Sequence, residues 1–278
     1  MSAVTETATS SADGERVRSK LSWRGWGPVL TAAFYLALLG LWELICRLDL
    51  VAAYILPAPS AIAVAIADGW DSLLHHTWVT FLETLLGFLL GSAIGLAAGI
   101  LIAYSPLVER IIYPAIVITQ TVPKLALAPL FIIWFGVGLT PKVAITALIC
   151  LFPVLINTVT GVKSVDPRLR QLMNSVSATR FQVFRMIELP TSLPHIFGGL
   201  QVGVTLAVVG ALVGEWVGSS EGLGYQILQS NSQLRTADTF AGLVLITLLG
   251  IVMFVAVRAA ERWLLPHQPH HTLAESGM

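Results

Sequence analysis

The sequence predicts an all-α polytopic membrane protein, and three observations lead there. The 278 residues are 55% hydrophobic and only 12% charged, with a mean hydropathy of +0.79; ordinary soluble domains carry about twice that charged fraction. The apolar residues gather into six stretches able to cross a hydrocarbon core, which takes roughly 20 residues each. Lys and Arg then fall mainly on one side of those stretches. The same composition is too apolar for a disordered chain. It also argues against nucleic-acid binding, because 16 Lys and Arg are balanced by 16 Asp and Glu and no basic excess remains for phosphates.

Taken in order, residues 1–22 are polar and lack the apolar core of a cleavable signal peptide, so they read as a disordered cytosolic tail. The transmembrane domain covers 23–265, and 266–278, with His267, His270 and His271, reads as a second cytosolic tail. The six spans are Pro28–Cys46, Val79–Ala103, Ile112–Phe135, Val143–Gly161, Ile196–Val217 and Phe240–Val257. Between the first two lies a long loop, 47–78, holding Leu-Pro-Ala-Pro-Ser at 56–60, a short apolar interfacial segment at 61–67, and the pair His75-His76. With the N-terminus inside, twelve Lys and Arg lie on the inner side and three on the outer: Arg47, Lys142 and Arg235. Tryptophans agree, with Trp23, Trp26 and Trp263 at the inner boundary and Trp70, Trp78, Trp134 and Trp216 near the outer one.

Lipid gives helices no hydrophobic reason to associate, so small residues that permit close approach matter more. The second span carries Gly87, Gly91, Gly95 and Gly99; the fifth carries Gly199 and Gly203, then Gly210, Gly214 and Gly218. Each set lines one helical face. Tight packing within one bundle and packing against a moving or symmetry-related helix both remain open. Pro123 and Pro129 interrupt the third span and Pro153 the fourth, which makes a transport path plausible there. Lys124, beside Pro123, faces that path or a gate, or else pairs with a carboxylate such as Glu83 or Glu215. Glu215 is a second candidate for the path or a gate; Glu43 and Glu83 read as interfacial. Cys46 and Cys150 lack metal or redox spacing and read as inert buried thiols.

The charged stretch 162–195 carries the functional signal. Asp166-Pro167 reads as an N-cap followed by proline at the first helical position. Leu169, Leu172, Met173 and Val176 follow at helical spacing, and Ser177-Ala178 marks a break. Thr179 with Gln182 forms a capping box for a second short helix, whose apolar face is Phe181, Phe184 and Ile187 and which Pro190 stops. Such a pair, apolar on one face and basic on the other, either lies flat on anionic lipid or docks into a cytosolic partner.

The stretch Gln171-Leu-Met-Asn-Ser-Val-Ser-Ala-Thr-Arg-Phe-Gln-Val-Phe-Arg-Met-Ile-Glu-Leu-Pro190 resembles the coupling loop of ABC-importer permease subunits. Leu56-Pro-Ala-Pro-Ser60, Ala126-Leu-Ala-Pro-Leu-Phe-Ile-Ile-Trp-Phe-Gly136, Ser164-Val-Asp-Pro167 and Gly222-Leu-Gly-Tyr225 are similar to the nitrate/sulfonate/taurine branch, with pyrimidine-precursor relatives, over roughly residues 30–265. The pattern's end is intact as Ile187, Leu189 and Pro190. Its start departs: Glu-Ala-Ala is replaced by Gln171, Leu172 and Met173, and the glycine by Ser177, so the usual carboxylate contact to the ATPase is not carried over. The resemblance implies that Asp166, Gln171, Ser177, Ala178, Thr179, Arg180, Phe181, Phe184, Arg185, Ile187, Leu189 and Pro190 couple to a cytosolic ATPase. It also implies a homodimer, an extracytoplasmic substrate-binding protein received at Gly222, Leu223, Gly224 and Tyr225, and alternating access along a path near the third to fifth spans, where the residue pattern above offers Pro123, Lys124, Pro153 and Glu215 as path or gate residues.

No Gly-Lys dipeptide occurs, so there is no P-loop, and no metal-ligand motif is present. Catalytic residues, bound metal and cofactors are therefore expected to be none in this chain, with ATP and Mg on the partner ATPase. His195, beside Pro194, reads as an interface residue. A self-contained secondary transporter or channel is the alternative, but it needs coupling-ion residues at the midplane and Lys124 alone qualifies.

Overall fold

The computed structural model describes residues 27–265. The tails at 1–22 and 266–278, their histidines, and Trp23 and Trp26 lie outside the described residues. Five described helices are long and apolar enough to cross a membrane: α1 (Gly27–Arg47), α3 (Trp70–Tyr104), α6 (Leu139–Lys163), α9 (Leu189–Gly218) and α11 (Thr236–Leu264). The sixth predicted crossing is broken. It consists of α4 (Pro106–Thr119), a 3-10 turn at Lys124–Leu127 headed by Pro123, and α5 (Ala128–Phe135) with Pro129 in its first turn. Each proline lacks an N–H and fits best where a helix begins, so the two prolines set the break. Gly136 and Gly138, both at positive φ, turn the chain from α5 into α6.

The short elements lie at the ends of the long ones. The apolar segment at 61–67 is α2 (Pro59–Asp68), whose N-terminus has no cap of its own side chains. Glu43 from α1 supplies one, accepting from the Ser60 backbone N–H at 3.1 Å and the Ser60 hydroxyl at 2.7 Å. The helix α3 begins earlier than its apolar run, so His75 and His76 lie on its first turns rather than in a loop. Beyond α9 a further helix, α10 (Leu223–Ser232), packs on α11. Its polar composition hid it from the hydropathy pattern.

At the centre, α6 is clamped between α3 and α9. The glycine stripes of both flanking helices face it. A Cβ added at Gly95 would lie 2.8 Å from the Leu151 carbonyl oxygen, and one at Gly99 would lie 2.7 Å from Thr158 Cβ. On the other side, Cβ atoms at Gly199 and Gly210 would lie 2.7 Å from Asn157 Cβ and 2.9 Å from Thr146 Cα. Gly87 and Gly91 press equally on Thr146 and Ala147, and Gly214 on Lys142. The stripes therefore serve packing within one bundle; only Gly218 looks elsewhere, toward Ile132 of α5. Where Cβ atoms are absent, backbones approach closely and dispersion contacts accumulate along the whole seam.

Pro153 does not interrupt α6, which runs on past it. The ring removes one N–H, and α6 stays helical on both sides of it, packed between α3 and α9. The Pro153 carbonyl accepts a second bond, from Asn157 Nδ2 at 2.8 Å.

Gly91→Ala should overpack the α3–α6 seam at backbone level, at a cost of about 1–3 kcal/mol. Gly198→Ala, whose added Cβ meets nothing within 4 Å, should be neutral. Thermal unfolding in detergent is expected to show a lower midpoint for the first variant alone.

Candidate functional site

Three polar sites interrupt this apolar bundle: one at each end and one at mid-height. At one end α7 (Pro167–Ser175) and α8 (Arg180–Val183) form the expected helical hairpin between α6 and α9. Asp166 caps α7 by accepting from the Arg168 N–H at 2.8 Å. Thr179 and Gln182 close the capping box, with Thr179 N–H donating to Gln182 Oε1 at 2.8 Å. Such a cap contributes about 1 kcal/mol. Between the helices, at the expected break, Ser177 takes φ +56, a left-handed conformation; a side chain there costs roughly 1–2 kcal/mol that glycine would not.

Pro190 does not stop the second helix. The chain passes from α8 through a π-helical turn, Phe184–Glu188, directly into α9. Within it the Leu189 N–H reaches back to the Phe184 carbonyl. The wider turn makes room for the Pro190 ring, which would otherwise strike the carbonyl four residues earlier. Arg180 to Pro190 thus form the beginning of the long helical run through Gly218.

The hairpin's base is locked and its tip is bare. Glu188, buried, pairs with Arg170 at 3.0 Å and accepts from the Tyr104 hydroxyl at the end of α3. Arg170 also donates to the Val162 carbonyl of α6 at 3.0 Å. Phe184 packs edge-on against Tyr104, while Phe181 stands 68% exposed and Leu172 61%. Gln171, Arg180 and Arg185 are exposed, and Ala178, Ile187 and Leu189 are half-buried. The two phenylalanines read together in the sequence therefore part: Phe181 faces outward and Phe184 anchors. Tyr104 and Glu188 carried no motif signal, because their partners lie on other elements.

At mid-height, Lys124, Pro153 and Gln120 share a cavity of about 420 Å³ between the broken crossing, α6 and α9. Lys124 Nζ sits 4.3 Å from the centre of the Phe152 ring. It pairs with neither Glu83 nor Glu215. Pro123 stands at the break but does not line this cavity.

Those two carboxylates belong to the opposite end of the bundle. Glu83 is 1% exposed rather than interfacial, and receives Lys142 Nζ at 2.5 Å. Lys142, itself buried, also donates to Ser219 Oγ at 2.7 Å. Glu215, 1% exposed, accepts from Thr80 Oγ1 at 2.6 Å and from the Gly224 N–H at 2.5 Å. The Leu223 N–H donates to Thr80 Oγ1 at 2.8 Å, and the Gly222 N–H to His76 Nδ1 at 3.0 Å. Gly222 is at φ +106, and a Cβ there would collide with the Glu215 carboxylate. This corrects the expected outer surface: Gly222, Leu223 and Gly224 are buried on Glu215, and Tyr225 is half-buried beside His76. His195 keeps its ring exposed while its Cβ packs where Gly161 leaves room.

Removing one partner of a buried ion pair leaves the other charge uncompensated, which costs about 3–5 kcal/mol. Lys142→Met alone should therefore depress the unfolding midpoint strongly. Adding Glu83→Gln should recover most of the loss, as a double-mutant cycle on the purified protein will register.

Known proteins share this architecture and sequence. Residues 91–267 match the family model described as "Binding-protein-dependent transport system inner membrane component". The chain is 37% identical over 248 residues to the formylaminopyrimidine transport permease protein ThiX of Halalkalibacterium halodurans, covering 89% of this chain and 98% of that one. It is 35% identical to the riboflavin transport system permease protein RibX of Chloroflexus aurantiacus, over 90% and 93% of the two chains. It is 29% identical to the taurine transport system permease protein TauC of Escherichia coli, over 91% and 96%. Among solved structures the fold matches an inward-facing MetNI methionine ABC transporter at TM-score 0.63 and 20% identity, over 71% of this chain and 98% of that one. The chain belongs to the family of binding-protein-dependent transport system inner membrane components, and is a multi-pass permease subunit of an ABC importer rather than a catalytic enzyme.

Proposed function

We propose that this permease works as a homodimer with both termini cytosolic, in the inner membrane of a prokaryote. Its hairpin takes the thrust of a cytosolic ATPase that binds ATP and Mg. The observation that carries this reading is the contrast within the hairpin. Phe181 is offered to solvent on a hairpin whose Arg168, Arg180 and Arg185 are also exposed, while its base is tied to α3, α6 and α9 through Tyr104, Arg170 and Glu188. An exposed aromatic anchor on a hairpin that also presents arginines suits a protein socket, and a base bonded to three helices passes displacement into the bundle. Asp166, Ser177, Ala178 and Thr179 hold the hairpin's shape, exposed Gln171 faces the ATPase, and Ile187, Leu189 and Pro190 join the hairpin to α9. Closing of the ATPases would draw the two hairpins together and rock the bundles between inward- and outward-open states.

The positive-inside count supports placing the hairpin in the cytosol. The opposite end, where Glu215 holds the Gly222–Gly224 turn, then faces a substrate-binding protein. Because that turn is buried, docking would use its flanks, with Tyr225 and Glu221 at the edge. The solute belongs to the sulfonate, taurine, nitrate or pyrimidine-precursor class; the names of relatives support its sulfonate, taurine and pyrimidine-precursor members.

Phe181→Ala should leave insertion and thermal stability unchanged but abolish co-purification of the ATPase. Phe184→Ala should lower stability, since it removes packing on Tyr104. An ATPase that still co-purifies in full with Phe181→Ala would contradict the docking role.

A further inference from the structure

We propose that the mid-height cavity is an anion-accepting station on the translocation path, where a small solute sets a negatively charged oxygen group on Lys124 and its apolar body against Phe152, Val202 and Leu206. This deepens the importer reading and rests on it.

Position comes first. Phe152 lies midway along α6 (Leu139–Lys163), and Val202 and Leu206 lie midway along α9 (Leu189–Gly218). Both helices cross the membrane, so the cavity sits in the middle third of the bundle. The third wall is the break between α4 and α5, where Gln120 and Lys124 enter the lining. Irregular backbone at that depth is tolerated where it lines a water-filled space.

Charge comes second. A lysine in mid-membrane is costly without a partner. Lys124 has no hydrogen bond or ion pair among the described residues, and no carboxylate lines the cavity. Its nearest attractive group is the face of Phe152. Cation–π attraction is weaker than a charge-assisted hydrogen bond to an anionic oxygen. The ring is therefore a resting place from which the ammonium can move to an anion without first breaking an ion pair. The carboxylates that could have neutralised Lys124 are both engaged elsewhere: Glu83 by Lys142, and Glu215 by Thr80 and the Gly224 N–H.

Shape comes third. With Gln120 as the one other long polar group on the lining, the walls are apolar on the α6 and α9 sides and polar only at the break. That division suits a solute with a charged oxygen head and an apolar body, which among the solute classes named above selects the sulfonates over the pyrimidine precursors, and it disfavours cations.

The test needs no knowledge of the natural solute. In a chain lacking both native cysteines (Cys46→Ser, Cys150→Ala), Val209→Cys is placed on the cavity wall, with Val202→Cys as a second position. Membrane vesicles carrying the assembled transporter are treated with 2-sulfonatoethyl methanethiosulfonate or its trimethylammonium analogue, and each rate is normalised to that of free cysteine. One unit charge nearby should favour the anionic reagent at least about fivefold, and Lys124→Gln should erase the preference. A preference that survives Lys124→Gln, or failure of both positions to react with either reagent, would overturn the proposal. Neither result depends on ATPase binding, so the hairpin reading stands or falls separately with Phe181→Ala.

Discussion

The close approach of three backbones, with α6 wedged between the glycine faces of α3 and α9, is the constraint on which the rest of this structure depends. In lipid, a leucine gains nothing by leaving acyl chains for another helix, so only contact density and polar bonds favour the packed state. Gly87 to Gly99 on one side and Gly199 to Gly214 on the other let α6 sink until backbone meets backbone. That depth sets everything placed on α6. Lys142 at its start falls between Glu83 and Ser219, and the Val162 carbonyl near its end meets Arg170. At mid-height Phe152 comes under Lys124.

The clamped trio therefore has polar fastenings at both ends and a hollow in between. At one end the fastening is ionic and buried: Lys142 joins Glu83, while Glu215 grips the turn leading into α10. At the other, Glu188 gathers Arg170 and Tyr104 beneath an exposed hairpin. The π-turn at Phe184–Glu188 lies between the hairpin and α9, so the exposed tip is continuous with a membrane-crossing helix rather than hung from a loop. A push on Phe181 has a covalent route into α9 and bonded routes into α3 and α6. The broken crossing is held differently. It packs on the trio through α5 and through α4, whose Ile116 joins Ile102 and Phe152 in one buried cluster, and it owes its break to Pro123 and Pro129.

Much of this was legible in the sequence, for reasons that can be named. A glycine at every fourth position can only line one face, so the seam of α3 showed before its partner was known. Asp166-Pro167 and Thr179 with Gln182 act within a turn, and local chemistry of that kind survives folding unchanged. Ser177 was marked because a helix boundary followed by a capping box leaves room for little else. What stayed hidden depends on distant partners. Glu83 and Lys142 are far apart in sequence and each lies near a span end, so Glu83 looked interfacial and Lys142 looked like an outer-side charge until their helices were brought together. Gly222–Tyr225 looked like surface because nothing local reveals that Glu215 folds beneath it. Pro190 misled because a proline inside a helix is ordinarily a stop, and the π-turn that accommodates it leaves no mark in composition. The polar residues of α10 gave no apolar period to read.

The central claim is that α3, α6 and α9 move as one body when the hairpin is driven. Hydrogen–deuterium exchange on the assembled transporter, compared without nucleotide and after trapping with ATP and vanadate, tests it most directly. Protection across residues 87–99, 142–158 and 199–214 should be the same in both states, with changes confined to 104–127 and 164–188. Loss of protection along the glycine seams in either state would show that the three helices slide against one another, and the account would fail.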